Sequence, residues 1–341
     1  MTWRGPALDE EQRDIFSLMN DLLSGEQPLV DENTETVDQA KGKLVELGLW
    51  TLGVDEEHGG SGAPRETVLL VLERLGRLWP ALGWASVQAQ AALAAIGGDA
   101  RFSDLADEIN AGSLGVAVVD EASAHVRLTT EGGGLKGSIG RVDTASGLPA
   151  VVVLGPAGTA HVLRPETLEG APVERTGLGG ARTVSLSVDA KSADIIEVDS
   201  QEIRGLLRLG AAAVAAGIAG AAADAAVEYA SSRDQFGGPL TGIPVVRQSL
   251  QEQAAGATTA LTATFGADPY DPVQTAATLA KACDTAIDVA GRALQSHGGY
   301  GYLTEYPAER FVRDAVSLRA AADPAGSMLL ASRALVGKLP A

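Results

Sequence analysis

The stretch Tyr229–Leu240, YASSRDQFGGPL, comes directly after a long alanine-rich run, and its reading decides the rest. Small and apolar residues through 204–232 predict one long helix that ends near it. Arg233 offers a planar, permanently charged fork suited to a phosphate or a carboxylate. Gln235 adds an amide and Phe236 a flat apolar face. Gly237 and Gly238 are expected to stop the helix, with Pro239 holding the exit. Taken alone, the stretch also reads as a helix end with a surface arginine.

Downstream, Gln295–Tyr302 reads QSHGGYGY and runs into LTEYPAERFVRDA, Leu303–Ala315. Upstream, Trp50–Gly62 reads WTLGVDEEHGGSG, a glycine-rich loop. Together these segments resemble the acyl-CoA dehydrogenase flavoproteins, in which R-x-Q-F-G, Q-x-x-G-G-x-G and E-Y-P-x-E-R-x-x-R-D-A follow in that order. The upstream loop resembles that family's P-E-E-x-G-G-x-G segment. Val54 replaces the proline, while Asp55, Glu56, His58, Gly59, Gly60 and Gly62 follow the pattern. His58 reads as a surface loop residue.

Composition narrows the class. The chain has 341 residues and a net charge of -18, from 44 acidic and 26 basic side chains. That excess disfavours nucleic acid or an anionic membrane as the main partner, while leaving room for a local basic pocket. A single cysteine, Cys283, excludes an intrachain disulfide or a thiolate metal cluster. The four histidines, His58, His125, His161 and His297, show no ligand spacing, so no metal is expected. The N-terminal MTWRGPALDEEQRD lacks the apolar core of a signal peptide. Arg208, Asp224 and Glu228 bracket or interrupt the alanine runs, so no membrane span is expected and a cytoplasmic location is.

Periodicity divides the chain into three. Helices are expected at 7–26, 34–49, 65–77 and 82–96, with a short polar helix or turn at 99–109, forming an N-terminal helical domain over 1–111. Short β-rich runs with glycine and proline turns fill 112–200. Helices return at 204–232, 242–265, 272–294, 306–319 and 325–338, within a C-terminal domain over 201–341. The resemblance implies an α+β fold, with a helical domain, a β-barrel-like middle domain (here shortened) and a C-terminal four-helix bundle.

The resemblance also implies FAD. The family's arginine binds the flavin pyrophosphate of a neighbouring subunit, the phenylalanine packs near it, and the glycine loop lets backbone approach the same cofactor. Carried over by position, these are Arg233, Gln235, Phe236, Gln295, Gly298, Gly299 and Gly301. A diphosphate needs a fixed, non-titrating cation, and glycine allows close backbone approach.

The family's own-flavin elements do not carry over. Its T-E-P-x-x-G-S-D strand end is met by Val118–Ser123, without the glycine-serine-aspartate that follows it. Its G-x-K-x-(W/F)-I-T-N segment is met by Gly137–Thr144, without the aromatic residue or the threonine-asparagine pair.

The reaction implied is α,β-dehydrogenation of an acyl-CoA, in which a carboxylate removes the α proton. In many members that glutamate lies nine residues after the R-D-A arginine, which is Ala322 here. Asp323 follows, and before Pro324 it reads as the N-cap of the last helix, with a displaced base as the weaker alternative. Other members place the base on the helix entering R-x-Q-F-G, at a position filled by Leu207, with Glu202 five residues away. No catalytic residue is therefore assigned.

A preserved shared half and an eroded own half resemble the base-lacking subunit of the α2β2 actinobacterial steroid-type enzymes. The implied partners are a paralogous catalytic acyl-CoA dehydrogenase subunit, an acyl-CoA substrate and an electron-transfer flavoprotein. A self-sufficient enzyme using Asp323 or Glu202, and a non-catalytic structural paralogue, remain the alternatives.

Overall fold

A computed structural model describes residues 2–336 except 132, 156 and 157. Five helices open the chain: α1 (Glu10–Ser24), α2 (Thr34–Glu46), α3 (Arg65–Leu78), α4 (Pro80–Ile96) and α5 (Ser103–Asn110). A reciprocal capping box between Asp9 and Gln12 starts α1, and Asn33 caps α2.

Eight strands follow: β1 (Val116–Asp120), β2 (Val126–Glu131), β3 (Gly134–Val142), β4 (Ala150–Leu154), β5 (Thr159–Leu163), β6 (Leu168–Pro172), β7 (Val184–Ala190) and β8 (Asp194–Glu197). They form two four-stranded sheets, ordered β1-β4-β5-β8 and β2-β3-β7-β6. The first sheet is covered on both faces. Val116, Val118, Val152 and Leu154 face the helices, whereas Ala117, Val119, Val151 and Val153 face the second sheet. Burial on both sides explains why β1 and β4 read as unbroken apolar runs.

The C-terminal helices are α6 (Ser200–Ser232), α7 (Pro244–Gly266), α8 (Pro272–His297), α9 (Ala308–Ala322) and α10 (Pro324–Val336). The last expected helix, 325–338, ends in residues 337 and 338, which lie outside the described residues. Asp199 and Asp271 cap α6 and α8 through two backbone N–H groups each.

α6 is the axis of the fold, and it corrects one expectation. By length and composition it is apolar enough to cross a membrane, although the sequence reading found no segment so apolar. Most of its apolar window is buried inside the protein, so its apolarity belongs to the core. Its small residues allow very close packing. A Cβ on Gly217 would meet the Glu73 carbonyl oxygen at 2.1 Å, and one on Gly76 would meet that of Val214 at 2.2 Å. A buried ion network pins the same junction. Arg77 donates to Glu73 at 3.0 Å and to Asp224 at 2.7 Å, and Arg4 pairs with Asp224 at 2.8 Å. Burial raises the Asp224 pKa, but the two guanidiniums outweigh it and hold the carboxyl at about 2.

Candidate functional site

Two regions at opposite ends of α6 hold most of the residues singled out by the sequence. The first is a rim where α6 ends. The helix stops at Ser232, before the glycines, because Arg233 is already extended. Gly237 and Gly238 therefore do not cap the helix as expected. Asp234–Gln235 and Gly238–Pro239 pair as a small antiparallel hairpin instead. Phe236 and Gly237 form its turn with φ of 55° and 90°. Both central residues at positive φ match the turn type that favours asparagine-glycine, so Phe236 is held in a conformation costly for a bulky side chain. It is 93% exposed. A large apolar ring kept out in solvent by a strained turn has no use in the core of this chain.

Arg233 is half-buried over the Tyr300 ring, 5.2 Å from its centroid. Among the described residues no carboxylate pairs with it, so its fork is free for another anion. Tyr300 is steadied by Tyr306 at 5.8 Å, and Tyr306 by Tyr229 at 5.7 Å and His297 at 5.8 Å. His297 stacks on Tyr229 at 4.4 Å, and its Nδ1 donates to the Ala293 carbonyl at 2.7 Å. Sequence reading missed this aromatic scaffold. The signal available was the tyrosines at 229, 300 and 306 flanking each motif. Gln235, Gln295, Gly298 and Gly299 are exposed, whereas Gly301 is buried. A Cβ added at Gly298, Gly299, Gly237 or Gly238 would meet nothing within 4 Å. These glycines border open space, and the Arg233 guanidinium beside Tyr300 carries no carboxylate among the described residues. Gly301 departs from this pattern. Its missing Cβ makes room for Leu294 and His297, so it serves packing.

The second region is a cleft among α4, β1, β3, β4, α6, α9 and α10, lined by Gln88, Asp120, His125, Leu207, Arg208 and Ala322, with Ser123, Arg141, Asp143, Arg204 and Asp323. Both positions that the family resemblance assigns to a base, Ala322 and Leu207, face this cleft. Neither bears a carboxylate. Asp323 ends α9 at φ 45° and caps α10, accepting the Gly326 N–H at 3.0 Å and the Ser123 hydroxyl at 3.2 Å. The N-cap reading of Asp323 agrees with these bonds. Glu202 lies elsewhere, on a separate cavity of about 230 Å³ walled by α3, α4 and α6.

Salt bridges fill the places where flavin-facing residues were sought. Asp143, in the family's I-T-N region, accepts from Arg141 at 3.3 Å and also from Arg175 and Thr183. Arg141 and Arg175 both donate to the Ser317 carbonyl, at 3.0 and 3.1 Å, clamping the sheets to α9. Arg204 donates to Asp120 at 2.7 Å. Burial pushes the His125 pKa down, with Asp323 opposing it weakly, so the ring stays neutral. The cleft volume is about 80 Å³. Pockets for cofactor-sized ligands commonly measure about 300–1,000 Å³. Alone the cleft is too small for a tricyclic flavin ring, and it opens onto a cavity of about 520 Å³ along Asp120, Arg204, Arg208 and Leu330.

The E-Y-P-x-E-R-x-x-R-D-A segment also proves to be a clamp. Asp314, almost fully buried, accepts the Leu178 N–H at 2.7 Å and pairs with Arg310 at 3.2 Å. Arg313 is held by Glu309 at 2.8 Å and reaches the Thr176 carbonyl. On the 50–62 loop, the exposed Asp55 and Glu57 and the half-buried His58 converge within 4.8 Å, a grouping not expected from spacing.

Two family models match this chain: the acyl-CoA dehydrogenase N-terminal domain over residues 9–100 and the acyl-CoA dehydrogenase C-terminal domain over residues 202–325. The chain belongs to the acyl-CoA dehydrogenase family. A probable acyl-CoA dehydrogenase of Bacillus subtilis, YngJ, is 26% identical, over 90% of this chain and 93% of its own length. Among solved structures, the Tcur3481-Tcur3483 steroid ACAD, a variant form, superposes with a TM-score of 0.76 at 21% identity, covering 96% of this chain and 99% of that one. A glutaryl-CoA dehydrogenase from Mycobacterium smegmatis in complex with FADH2 gives 0.81 at 16% identity, covering 98% and 96%. At these identities the structural likeness speaks for the acyl-CoA dehydrogenase fold alone. The family is made up of flavin-dependent oxidoreductases acting on acyl-CoA.

Proposed function

We propose that this chain is the non-catalytic subunit of a heteromeric FAD-dependent acyl-CoA dehydrogenase and completes the flavin site of a paralogous catalytic partner. One observation carries the reading. Arg233 at the rim is free of carboxylates beside exposed glycines, which supports a diphosphate contact there, whereas the chain's own cleft is lined by salt bridges and has no carboxylate at either expected base position. FAD, when bound, supplies a hydride acceptor. This chain's contribution is the Arg233 fork on the diphosphate, the Phe236 face against the cofactor or partner, and glycine backbone at 298–299.

The acyl group and the proton-abstracting carboxylate belong to the partner in this scheme. A bulky steroid side-chain CoA ester is the proposed substrate class, and an electron-transfer flavoprotein the proposed acceptor. Assembly as α2β2 in the cytoplasm completes the proposal. One observation favours a second reading, a self-sufficient enzyme: Asp323 does line the cleft. Its two oxygens are engaged by Gly326 and Ser123, which weighs against a free base.

Co-expression with the paralogue, followed by mass and flavin measurement, tests the proposal. One FAD per heterodimer is expected, with the lone chain purifying almost colourless near 450 nm. One FAD per chain would favour the self-sufficient enzyme, and none in the assembled complex would favour a purely structural role.

A further inference from the structure

Arg208 makes no salt bridge among the described residues. Its side chain is 4% exposed, on α6. Only Nη1 is engaged, with the Thr275 hydroxyl at 3.2 Å and the Pro272 carbonyl at 3.5 Å. Among the described residues no carboxylate pairs with it, and Nε and Nη2 find no acceptor. Those two N–H groups form the edge of a guanidinium that matches a carboxylate bidentately. Burial, reinforced by nearby Arg204 and opposed by Asp120, lowers its pKa to about 10, which leaves it charged at neutral pH.

The surroundings suit an anion. Asp120 is taken by Arg204, Asp143 by Arg141 and Arg175, and Asp323 by Ser123 and Gly326. His125 is kept neutral by burial. Arg208 shares the cleft wall with Ala322, where the family resemblance expects a carboxylate. The cleft, of about 80 Å³, has room for a few heavy atoms. It meets a wider cavity of about 520 Å³ along Asp120, Arg204, Arg208 and Leu330, which provides an entrance.

We infer that Arg208 anchors a small monocarboxylate of acetate or formate size in this cleft, in the space that Ala322 leaves open. The inference rests on the proposed loss of the base, but its test does not involve flavin. A buried cation gains most from a partner that is itself desolvated, so binding should stabilise the folded chain by mass action.

The experiment is thermal unfolding of the full chain at fixed ionic strength, with acetate replacing chloride. A saturable rise of roughly 2 °C or more is expected with acetate and with formate. Acetamide, with the same shape and no charge, should give none. Arg208→Met replaces an unpaired buried cation with an apolar chain of similar length, so it should fold and lose the response. Ala322→Glu fills the same cleft with a tethered carboxylate and should lose it as well. No shift in the parent chain, an equal shift with acetamide, or a shift that survives in either variant overturns the assignment. The FAD stoichiometry of the complex is read separately, so failure of either proposal leaves the other's result intact.

Discussion

The rim at Arg233, just past the end of α6, and the cleft at Arg208, on that helix, handle charge in opposite ways. At the rim a guanidinium stands on an aromatic ring, free of carboxylates, beside glycines that leave space empty. In the cleft nearly every charge has been matched internally, and Arg208 is the exception. A surface prepared for an outside ligand keeps its donors unspent and its backbone bare. A site withdrawn from that service closes over its polar groups, because burying them unpaired costs more than pairing them.

The sharpest way to break this contrast is Asp143→Ala. If the cleft is held by structural ion pairs, removing their shared carboxylate strands Arg175 and Arg141 and should cost about 3–5 kcal/mol. Urea unfolding measures it. A loss under 1 kcal/mol would mean that the cleft is loosely held and open to a larger ligand.

Next in size is Arg233→Ala. Losing one charge-assisted contact to a diphosphate should cost roughly 1.5–3 kcal/mol, or about 10- to 150-fold in FAD affinity of the heteromeric complex. Arg233→Lys should recover only part, since it keeps the charge and loses the fork. FAD titration of the apo-complex, with circular dichroism as control, decides between this and an ordinary surface arginine.

Phe236→Asn should act with opposite signs in the two settings. Asparagine suits the positive φ, so the lone chain should gain up to about 1 kcal/mol in urea unfolding. The assembled complex should hold FAD or its partner less tightly, because the exposed ring is gone. A gain in both would show that the ring has no role across the interface.

The smallest effect is expected from Asp323→Asn. Asparagine caps well, so stability should fall by about 1 kcal/mol or less and turnover of the complex should hardly change. Removing a true base would commonly cost about a hundredfold or more. A large fall in kcat with normal flavin content would return Asp323 to the chemistry.

How much of this was legible beforehand follows from range. The helical, β, helical order came from local periodicity, and Asp323 as a cap came from its neighbour Pro324. Both depend on residues close together in the chain. The rim was half legible: the motif marked Arg233, but its support by Tyr300 joins residues 67 positions apart. The hairpin at Phe236 was misread because two glycines after a helix fit a cap and a turn equally well. In the cleft the missing carboxylates could be counted in sequence. The pairing of Asp143 with Arg175, and the isolation of Arg208, could not, since each depends on which strands and helices meet in space.

α6 runs twenty-four residues from Arg208 to its end at Ser232, roughly 36 Å of continuous rod. Its two ends can therefore drift independently. A substitution near Arg208 leaves the distant rim in register, and one at the rim leaves the cleft unchanged. After a gene duplication, one copy could shed its catalytic end while still serving its sister's, and the other could do the reverse. Once both had done so neither would work alone, and an obligatory pairing would have arisen by loss, with no new contact invented.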